Sequence, residues 1–256
     1  MGLFRKKKKN TMFLAEQPQS LNTLHQNLTF TATEQYKLIR ANLDFTLPPD
    51  DKCPIIGITS SMRGEGKSTT AVNLSYVCAE KGKRVLLIDG DLRIPSVAKK
   101  MGIESNPGLV ELLMGDTTPL SHFQSAMLQN WYIIPAGTIP PNPSELMGSD
   151  RMEKLLKRLR EMFDYIIIDL PPVNIVSDAI AVSNLLSGMI VVVREEYTEK
   201  RELERCMRQL QLSDANILGC VMNAAKSGSS AYGKYKKYRY YSYSHYALND
   251  SKGKKQ

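Results

Sequence analysis

Short runs of β-branched residues alternate with helix-like stretches through the middle of the chain, and this alternation constrains the fold more than any other feature. The strand-like runs, from Pro54 to Asn223, read PIIGITS, RVLLID, WYIIPAG, YIIIDLPP, GMIVVVR and NILGCVMN. Near-continuous apolar strands separated by helices are typical of parallel strands buried on both faces. The pattern predicts an α/β domain at residues 31–225, with a doubly wound, mostly parallel sheet flanked by helices.

The helices are predicted from amphipathic periodicity and from their start and stop signals. The first has the sequence TATEQYKLIRANLDF, with Thr31 or Thr33 placed to cap it. The second runs from Lys67 to Lys81 and stops at Gly82, a residue type that commonly ends helices. Further helices are predicted around GLVELLMG, from about Asp150 to Phe163, and in SDAIAVSNLLS and TEKRELERCMRQLQL.

The two ends of the chain differ in composition from its middle. Residues 1–30 begin with a basic run that includes Arg5 and Lys6 to Lys9, and residues 226–256 are rich in lysine and tyrosine. Together the ends carry more positive charge than the net +8 of the whole chain. We predict a flexible basic N-terminal segment and a flexible tyrosine-rich tail. Such ends suit an anionic membrane surface, a nucleic acid, an acidic partner or simply a solvated tail.

Several classes of protein do not fit this sequence. No run approaches the roughly 18 apolar residues of a membrane-spanning helix, and no signal-peptide core follows the basic start, so we expect a cytoplasmic protein. Cys53, Cys78, Cys206 and Cys220 lack metal-ligand spacing, and we expect them to be reduced and mostly buried.

A glycine-rich segment, GEGKST, lies where the first strand ends and a helix begins, which is the setting of a phosphate-binding loop. Glycines allow backbone N–H groups to close on phosphates, and the helix N-terminus favours anions. The predicted nucleotide-binding residues are Gly64, Glu65, Gly66, Lys67, Ser68 and Thr69. Ser61 stands where the GxxxxGK[ST] pattern has its first glycine.

Acidic residues end two further strands. VLLIDGDLR carries Asp89 and Asp91, and YIIIDLPP carries Asp169. Because parallel strands present their carboxyl ends at one edge of a sheet, these carboxylates should converge on the phosphate loop. There they can hold a metal ion or accept a proton from an attacking hydroxyl group.

The order of these motifs resembles the deviant-Walker ATPases. Within them the chain is similar to the bacterial tyrosine kinases (BY-kinases) of capsule and exopolysaccharide synthesis, in the separate cytoplasmic form of Gram-positive bacteria. The resemblance rests on GEGKST, LLIDGDLRIPSV and YIIIDLPP, on PPNPSELM between the second and third motifs, and on the terminal tyrosines. It implies a phosphate-loop kinase that uses ATP and Mg²⁺ and regulates polysaccharide synthesis and export.

The resemblance also implies roles for individual residues. Lys67 would neutralise β- and γ-phosphate oxygens, and Thr69 would hold the α-phosphate. Ser68 with Asp89 or Asp169 would hold Mg²⁺, while Asp91 or Asp89 would orient or deprotonate the acceptor. In further assignments Asn223 would contact the adenine, as in related ATPases, and Arg93 would stabilise phosphate or pair with an acidic neighbour.

The tail has three interpretations. Interleaved aromatic and basic residues can bind single-stranded nucleic acid or form an interfacial segment for membranes or polysaccharide, and tyrosines can be phosphate acceptors. Because of the resemblance to the tyrosine kinases, we choose the interpretation in which the tail tyrosines are autophosphorylated. We expect no nucleic acid partner. The predicted acceptors are Tyr232, Tyr235, Tyr238, Tyr240, Tyr241, Tyr243 and Tyr246.

Assembly and partners follow from the resemblance alone. EQYKLIRANL is similar to the family's E-x-x-R-x-x-R element, with Lys37 in place of its first arginine, so Glu34, Lys37 and Arg40 are the predicted self-association residues of a ring. The resemblance implies an integral membrane activator of the polysaccharide co-polymerase type, which would hold the enzyme at the inner face of the membrane, and a tyrosine phosphatase. The alternative is a membrane- or nucleic-acid-associated positioning ATPase of the cell-division type. That group's KGG sequence aligns with Met62, Arg63 and Gly64, so its signature lysine has no counterpart. The missing lysine and the density of tyrosines in the tail speak against this alternative.

Overall fold

A computed structural model describes residues 27–225. Within this range six parallel strands form one sheet in the order β3-β2-β4-β1-β5-β6. The strands are β1 (Ile55–Ser60), β2 (Val85–Asp89), β3 (Trp131–Ile134), β4 (Tyr165–Asp169), β5 (Gly188–Arg194) and β6 (Ile217–Asn223). The predicted fold class is confirmed, and every pairing in this sheet is parallel.

Helices cover both faces of the sheet. They are α1 (Phe30–Thr46), α2 (Lys67–Glu80), α3 (Val97–Met101), α4 (Leu109–Met114), α5 (Pro143–Met147), α6 (Asp150–Arg160), α7 (Asp178–Ala181) and α8 (Lys200–Leu212). Short 3₁₀ helices occupy Leu120–Phe123 and Ser183–Leu185. None of the helices in residues 27–225 is long and apolar enough to cross a membrane.

Two apolar cores form because successive strand residues point to opposite faces. Ile56, Leu87 and Ile167 lie in the core beneath α1 and α2, whereas Ile55 and Ile166 lie in the core on the other face. Both faces are therefore buried, which explains why the strands read as continuous apolar runs. Of the four cysteines, Cys220 is exposed and the others are buried.

The predicted N-cap of the first helix was wrong, because the helix begins earlier than predicted. Thr29, not Thr31 or Thr33, is the N-cap, and its side chain accepts a hydrogen bond from Ala32 N at 3.3 Å. Thr33 lies inside the helix and donates its hydroxyl to Thr29 O. Three threonines lie at alternate positions here, and the sequence pattern alone does not identify which of them caps the helix.

The predicted helix SDAIAVSNLLS is broken in two. α7 ends at Ala181, and a 3₁₀ turn continues from Ser183. The Ser183 hydroxyl donates to Ile180 O at 2.8 Å, and such side-chain bonds compete with the helical ladder. The helices α3 and α5 were not predicted, and α6 ends at Arg160, three residues before the predicted end at Phe163.

The stability of the core under α2 depends on a buried hydrogen bond. Trp131, the one tryptophan of the chain, is fully buried and donates its indole N–H to Ser75 Oγ at 3.1 Å. Ser75→Ala removes this acceptor, and we expect the free energy of unfolding to fall by about 1–3 kcal/mol. Urea titration followed by circular dichroism measures the change. The exposed Ser121→Ala is the control, and equal stability of the two variants would contradict the expectation.

Candidate nucleotide and catalytic site

The phosphate loop joins the end of β1 to the start of α2. Gly64 and Gly66 have φ angles of +80° and +98°, which favour glycine. A Cβ atom on Gly66 would lie 1.9 Å from Asn223 Nδ2, so no larger residue fits there. The backbone of the loop is thus free to curve around an anion at the N-terminus of α2.

Glu65 organises the loop from inside the protein. It is fully buried and accepts hydrogen bonds from Ser61 Oγ and Met62 N, both at 2.8 Å. The serine that replaces the usual first glycine is therefore a partner of the loop's own carboxylate. The Thr198 hydroxyl also donates to Glu65.

The end of β5 and its connection to α8 donate hydrogen bonds to the phosphate loop. Arg194 Nη1 donates to Gly64 O at 3.0 Å, and Tyr197 Oη donates to Arg63 O at 3.1 Å. The Arg194 guanidinium also lies 5.1 Å from the centre of the Tyr197 ring. Sequence analysis missed these residues, because the end of β5 and its connection to α8 carry no recognisable motif.

Asn223 ends β6 beside the same loop. Its Nδ2 donates to Glu65 O at 2.9 Å, and its Oδ1 accepts from Ala224 N at 2.9 Å. The predicted contact with adenine is not tested by this geometry. The structure shows a direct contact with the backbone of the phosphate loop.

Lys67 lies among the acidic strand ends. Its Nζ is 2.7 Å from Asp91 Oδ2, 3.4 Å from Asp169 Oδ1 and 3.3 Å from Ser68 Oγ. Burial lowers the pKa of Lys67, but the charges of Asp169 and Asp91 outweigh burial, and the net shift is upward. The lysine and the two carboxylates therefore form a buried charged cluster at the edge of the sheet.

Asp89 lies beside this cluster and shapes the turn after β2. Its Oδ2 accepts from Ser96 N at 3.0 Å and Val97 N at 2.9 Å, and its Oδ1 accepts from Asp91 N at 3.2 Å. Asp89 is also the register neighbour of Asp169 on β4. Burial, followed by the charge of Asp169, raises the pKa of Asp89 to about 7.

Asp169 is fully buried, and its Oδ2 has no hydrogen-bond partner. Burial raises its pKa, against the opposing charge of Lys67 and a hydrogen bond with Ser68. No cluster of three or more His, Cys, Asp or Glu metal ligands occurs in the part of the chain that the structure describes. Magnesium at phosphate sites needs only one or two protein ligands beside the phosphates, and a hydroxyl next to an unpartnered carboxylate oxygen fits it.

Arg93 pairs with an acidic neighbour, one of the two roles expected for it. Its Nε and Nη2 lie 2.9 and 3.0 Å from the oxygens of Asp178, whose side chain is fully buried. Ser144 of α5 donates to the same carboxylate. This contact ties the loop after β2 to α5 and α7.

A cavity of about 180 Å³ opens between the phosphate loop and the ends of β2 and β4. Its polar lining includes Lys67, Ser68, Asp91 and Arg93. Its apolar lining, which we call the apolar wall, includes Pro171, Pro172, Ile175, Val176 and Ile94. The site therefore combines an anion-binding loop with a wall suited to a nonpolar or aromatic group.

The predicted self-association residues lie on α1. Lys37 and Glu34 form an ion pair at 3.1 Å on its accessible side. Arg40 instead donates to Val77 O of α2 at 2.7 Å, within the same chain. The seven predicted acceptor tyrosines and the basic start lie outside the described residues.

A phosphate loop at the end of a central parallel strand, with acidic residues ending its neighbours, defines a P-loop nucleotide-binding protein. The AAA domain family profile matches residues 53–220. Tyrosine-protein kinase YwqD of Bacillus subtilis is 36% identical over 226 residues, which cover 88% of this chain and 90% of that protein. Tyrosine-protein kinase CpsD of Streptococcus pneumoniae is 35% identical over 206 residues, with 79% and 88% covered.

Solved structures of P-loop proteins are also similar to this chain. The chimerical protein CapA2B2 aligns with a TM-score of 0.74 and 33% identity, over 82% of this chain and 92% of that one. The septum site-determining protein MinD of Pyrococcus horikoshii, complexed with Mg-ADP, aligns with a TM-score of 0.56 and 26% identity, over 69% and 72%. The chain belongs to the bacterial tyrosine kinases and is a protein-tyrosine kinase of the P-loop class.

The pH dependence of unfolding tests the burial of Asp89. Its pKa rises from an ordinary 3.8 to about 7 in the folded chain, so between these values the folded chain keeps a proton that the unfolded chain has lost. The contribution of Asp89 to stability therefore falls as the pH rises through this window. Asp89→Asn removes that contribution and retains an oxygen for the Ser96 and Val97 amides.

We expect Asp89→Asn to lose less stability than the wild type as the pH rises across the window, measured by urea titration at several pH values. The exposed Asp50→Asn should follow the wild type. Parallel pH profiles for Asp89→Asn and wild type would show that Asp89 has an ordinary pKa.

Proposed function

We propose that this kinase transfers the γ-phosphate of ATP to the tyrosines of its own C-terminal cluster, Tyr232 to Tyr246, and thereby regulates capsular or exopolysaccharide synthesis and export. The observation that carries the proposal is the ion pair of Lys67 with Asp91 at the phosphate loop, beside an apolar wall. A tyrosine kinase needs these three elements together: a phosphate-binding cation, a proton acceptor and a surface for a phenol ring.

The apolar wall supports an aromatic acceptor. Pro171, Pro172, Ile175 and Val176 line the same cavity as Asp91. A phenol ring packed on them would bring its hydroxyl into the cavity that Asp91 also lines, whereas serine or threonine would leave the wall uncovered. Positioning of this kind accounts for much of the catalysis of phosphoryl transfer.

Lys67 and Asp91 would exchange partners during the reaction. Lys67 turns from Asp91 toward the γ-phosphate oxygens, which offer more negative charge. The Asp91 oxygen that Lys67 occupied then accepts the tyrosine hydroxyl. Because the ordinary pKa of a phenol is near 10, Asp91 acts mainly by orienting the hydroxyl and takes its proton late.

Ser68 and Asp169 would hold Mg²⁺, with Asp89 as the neighbouring carboxylate. The support is that Oδ2 of buried Asp169 has no hydrogen-bond partner, and that Ser68 lies within hydrogen-bond reach of the same carboxylate. The chemistry that Mg²⁺ would supply there is neutralisation of the charge that develops on the transferred group. Backbone N–H groups of Gly64 to Ser68 would bind the phosphates, Thr69 the α-phosphate, and Asn223 the region near the adenine.

The acceptor tail would also be the regulatory element. Tyr232 lies nine residues after Asn223, which contacts the phosphate loop. Each phosphate adds about −1.5 to −2 charges, so several of them would outweigh the lysines of the tail. We propose that this change controls self-association through the α1 surface with Glu34 and Lys37, and that a tyrosine phosphatase reverses it. Arg40 already bonds Val77 and would contribute less.

Membrane localisation would come from an integral membrane activator. The basic run with Arg5 and Lys6 to Lys9 suits the anionic inner surface and would assist. Deleting residues 1–9 in cells that contain the activator should reduce the membrane-bound fraction.

Phosphate mapping tests the kinase proposal directly. The full chain is incubated with ATP and magnesium, and its intact mass and tryptic peptides are measured beside Lys67→Met. We expect phosphate on peptides between Tyr232 and Tyr246 in the wild type only. An unmodified tail together with Lys67-dependent release of phosphate into solution would instead support the positioning ATPase.

Substitution of the proposed proton acceptor separates catalysis from binding. Asp91→Asn removes the charge beside Lys67 and should lower kcat for tail phosphorylation by roughly 100-fold or more, as for loss of a positioned acceptor group. The KM for ATP should stay equal or fall, because the Asp91 carboxylate no longer competes with the phosphates for Lys67. A raised KM with unchanged kcat would show that Asp91 serves nucleotide binding alone.

A further inference from the structure

A second lysine lies beside the phosphate loop. Lys100 of α3 is half-buried, and its Nζ lies 3.3 Å from Thr69 Oγ1, in the first turn of α2. Thr69 follows Lys67 and Ser68 directly, so Lys100 reaches the loop from a different element of the fold.

The position of Lys100 is fixed by the turn after β2. Asp89 accepts hydrogen bonds from Ser96 N and Val97 N at the start of α3. Lys100 N donates to Ser96 O at 3.0 Å, one turn further along. The carboxylate that lies beside the phosphate site therefore also anchors the helix that carries Lys100.

Lys100 has no carboxylate partner among residues 27–225. Of the ion pairs formed within residues 27–225, none includes it. Burial lowers the pKa of Lys100, and the charges of Lys67 and Lys99 add to this against the opposing charge of Asp169. A single neutral hydroxyl at 3.3 Å compensates poorly for burial of an ammonium group, whereas a phosphate would do so well.

We propose that Lys100 is a second phosphate-binding residue, which contacts the α-phosphate of the nucleotide beside Thr69. Lys67 serves the β- and γ-phosphates, so the two lysines divide the triphosphate between them. This inference rests on the proposed nucleotide pose, and it adds a binding residue that no phosphate-loop motif contains.

Nucleotide binding to the full-length chain tests the proposal. Dissociation constants for Mg-ADP, Mg-ATP and adenosine are measured by calorimetry or competition with a fluorescent ADP. Lys100→Met should weaken ADP and ATP binding equally, by roughly tenfold, as expected for a lost charge-assisted hydrogen bond. The affinity for adenosine should be unchanged, and Lys100→Arg should keep most of the wild-type affinity.

Lys99→Met is the matched control, because Lys99 is the exposed neighbour on the same short helix. It should bind ADP and ATP within about twofold of the wild type. Unchanged affinities in Lys100→Met, equal losses in both lysine variants, a loss for ATP alone or a parallel loss for adenosine would each overturn the assignment.

The test of the Lys100 contact is independent of the proposal that the tail is autophosphorylated. Tail phosphorylation is recorded for the same variants by mass. If the wild type hydrolyses ATP without modifying its tail while Lys100→Met still loses ADP affinity, the kinase proposal fails and the Lys100 contact stands.

Discussion

The charged cluster around Lys67 is the constraint on which the site depends. One ammonium group lies 2.7 Å from Asp91 and 3.4 Å from Asp169, with Asp89 adjacent in register. Buried carboxylates at this spacing repel one another, and an unpaired buried charge is costly. The arrangement exists only because β1, β2 and β4 are parallel neighbours, so that their carboxyl ends meet at one edge. The order of strands in the sheet thus determines the electrostatics of the site.

Much of this site could be predicted from sequence, because its residues belong to patterns with a fixed geometry. The phosphate loop follows a strand and opens a helix, and Asp89, Asp91 and Asp169 end strands or follow them directly. The parallel sheet turns those positions into spatial neighbours. The Asp178 partner of Arg93 and the Lys100 contact with Thr69 have no such pattern. They depend on how helices of variable length pack, which local sequence does not specify.

The unpredicted contacts share a physical role. Thr198 donates to the Glu65 carboxylate, and Tyr197 donates to the Arg63 carbonyl. Asn223 donates to the Glu65 carbonyl. Each donates a hydrogen bond to an oxygen of the loop. Because these side chains bond to oxygens, they hold the loop without using the backbone N–H groups that could bind an anion. Rigid support of this kind reduces the ordering that nucleotide binding must otherwise impose.

The buried hydrogen bonds of Glu65 also bear on how this loop can change. Ser61, Met62 N and Thr198 all donate to one carboxylate, although Thr198 is far away in sequence. Restoring glycine at position 61 or exchanging the loop for another GxxxxGK[ST] sequence would leave donors or an acceptor unpaired in the interior. Substitutions at 61, 65 and 198 should therefore be strongly epistatic. The loop therefore cannot be grafted onto another protein by its own sequence alone. The graft also needs a hydroxyl donor at the position of Thr198, in the β5–α8 connection.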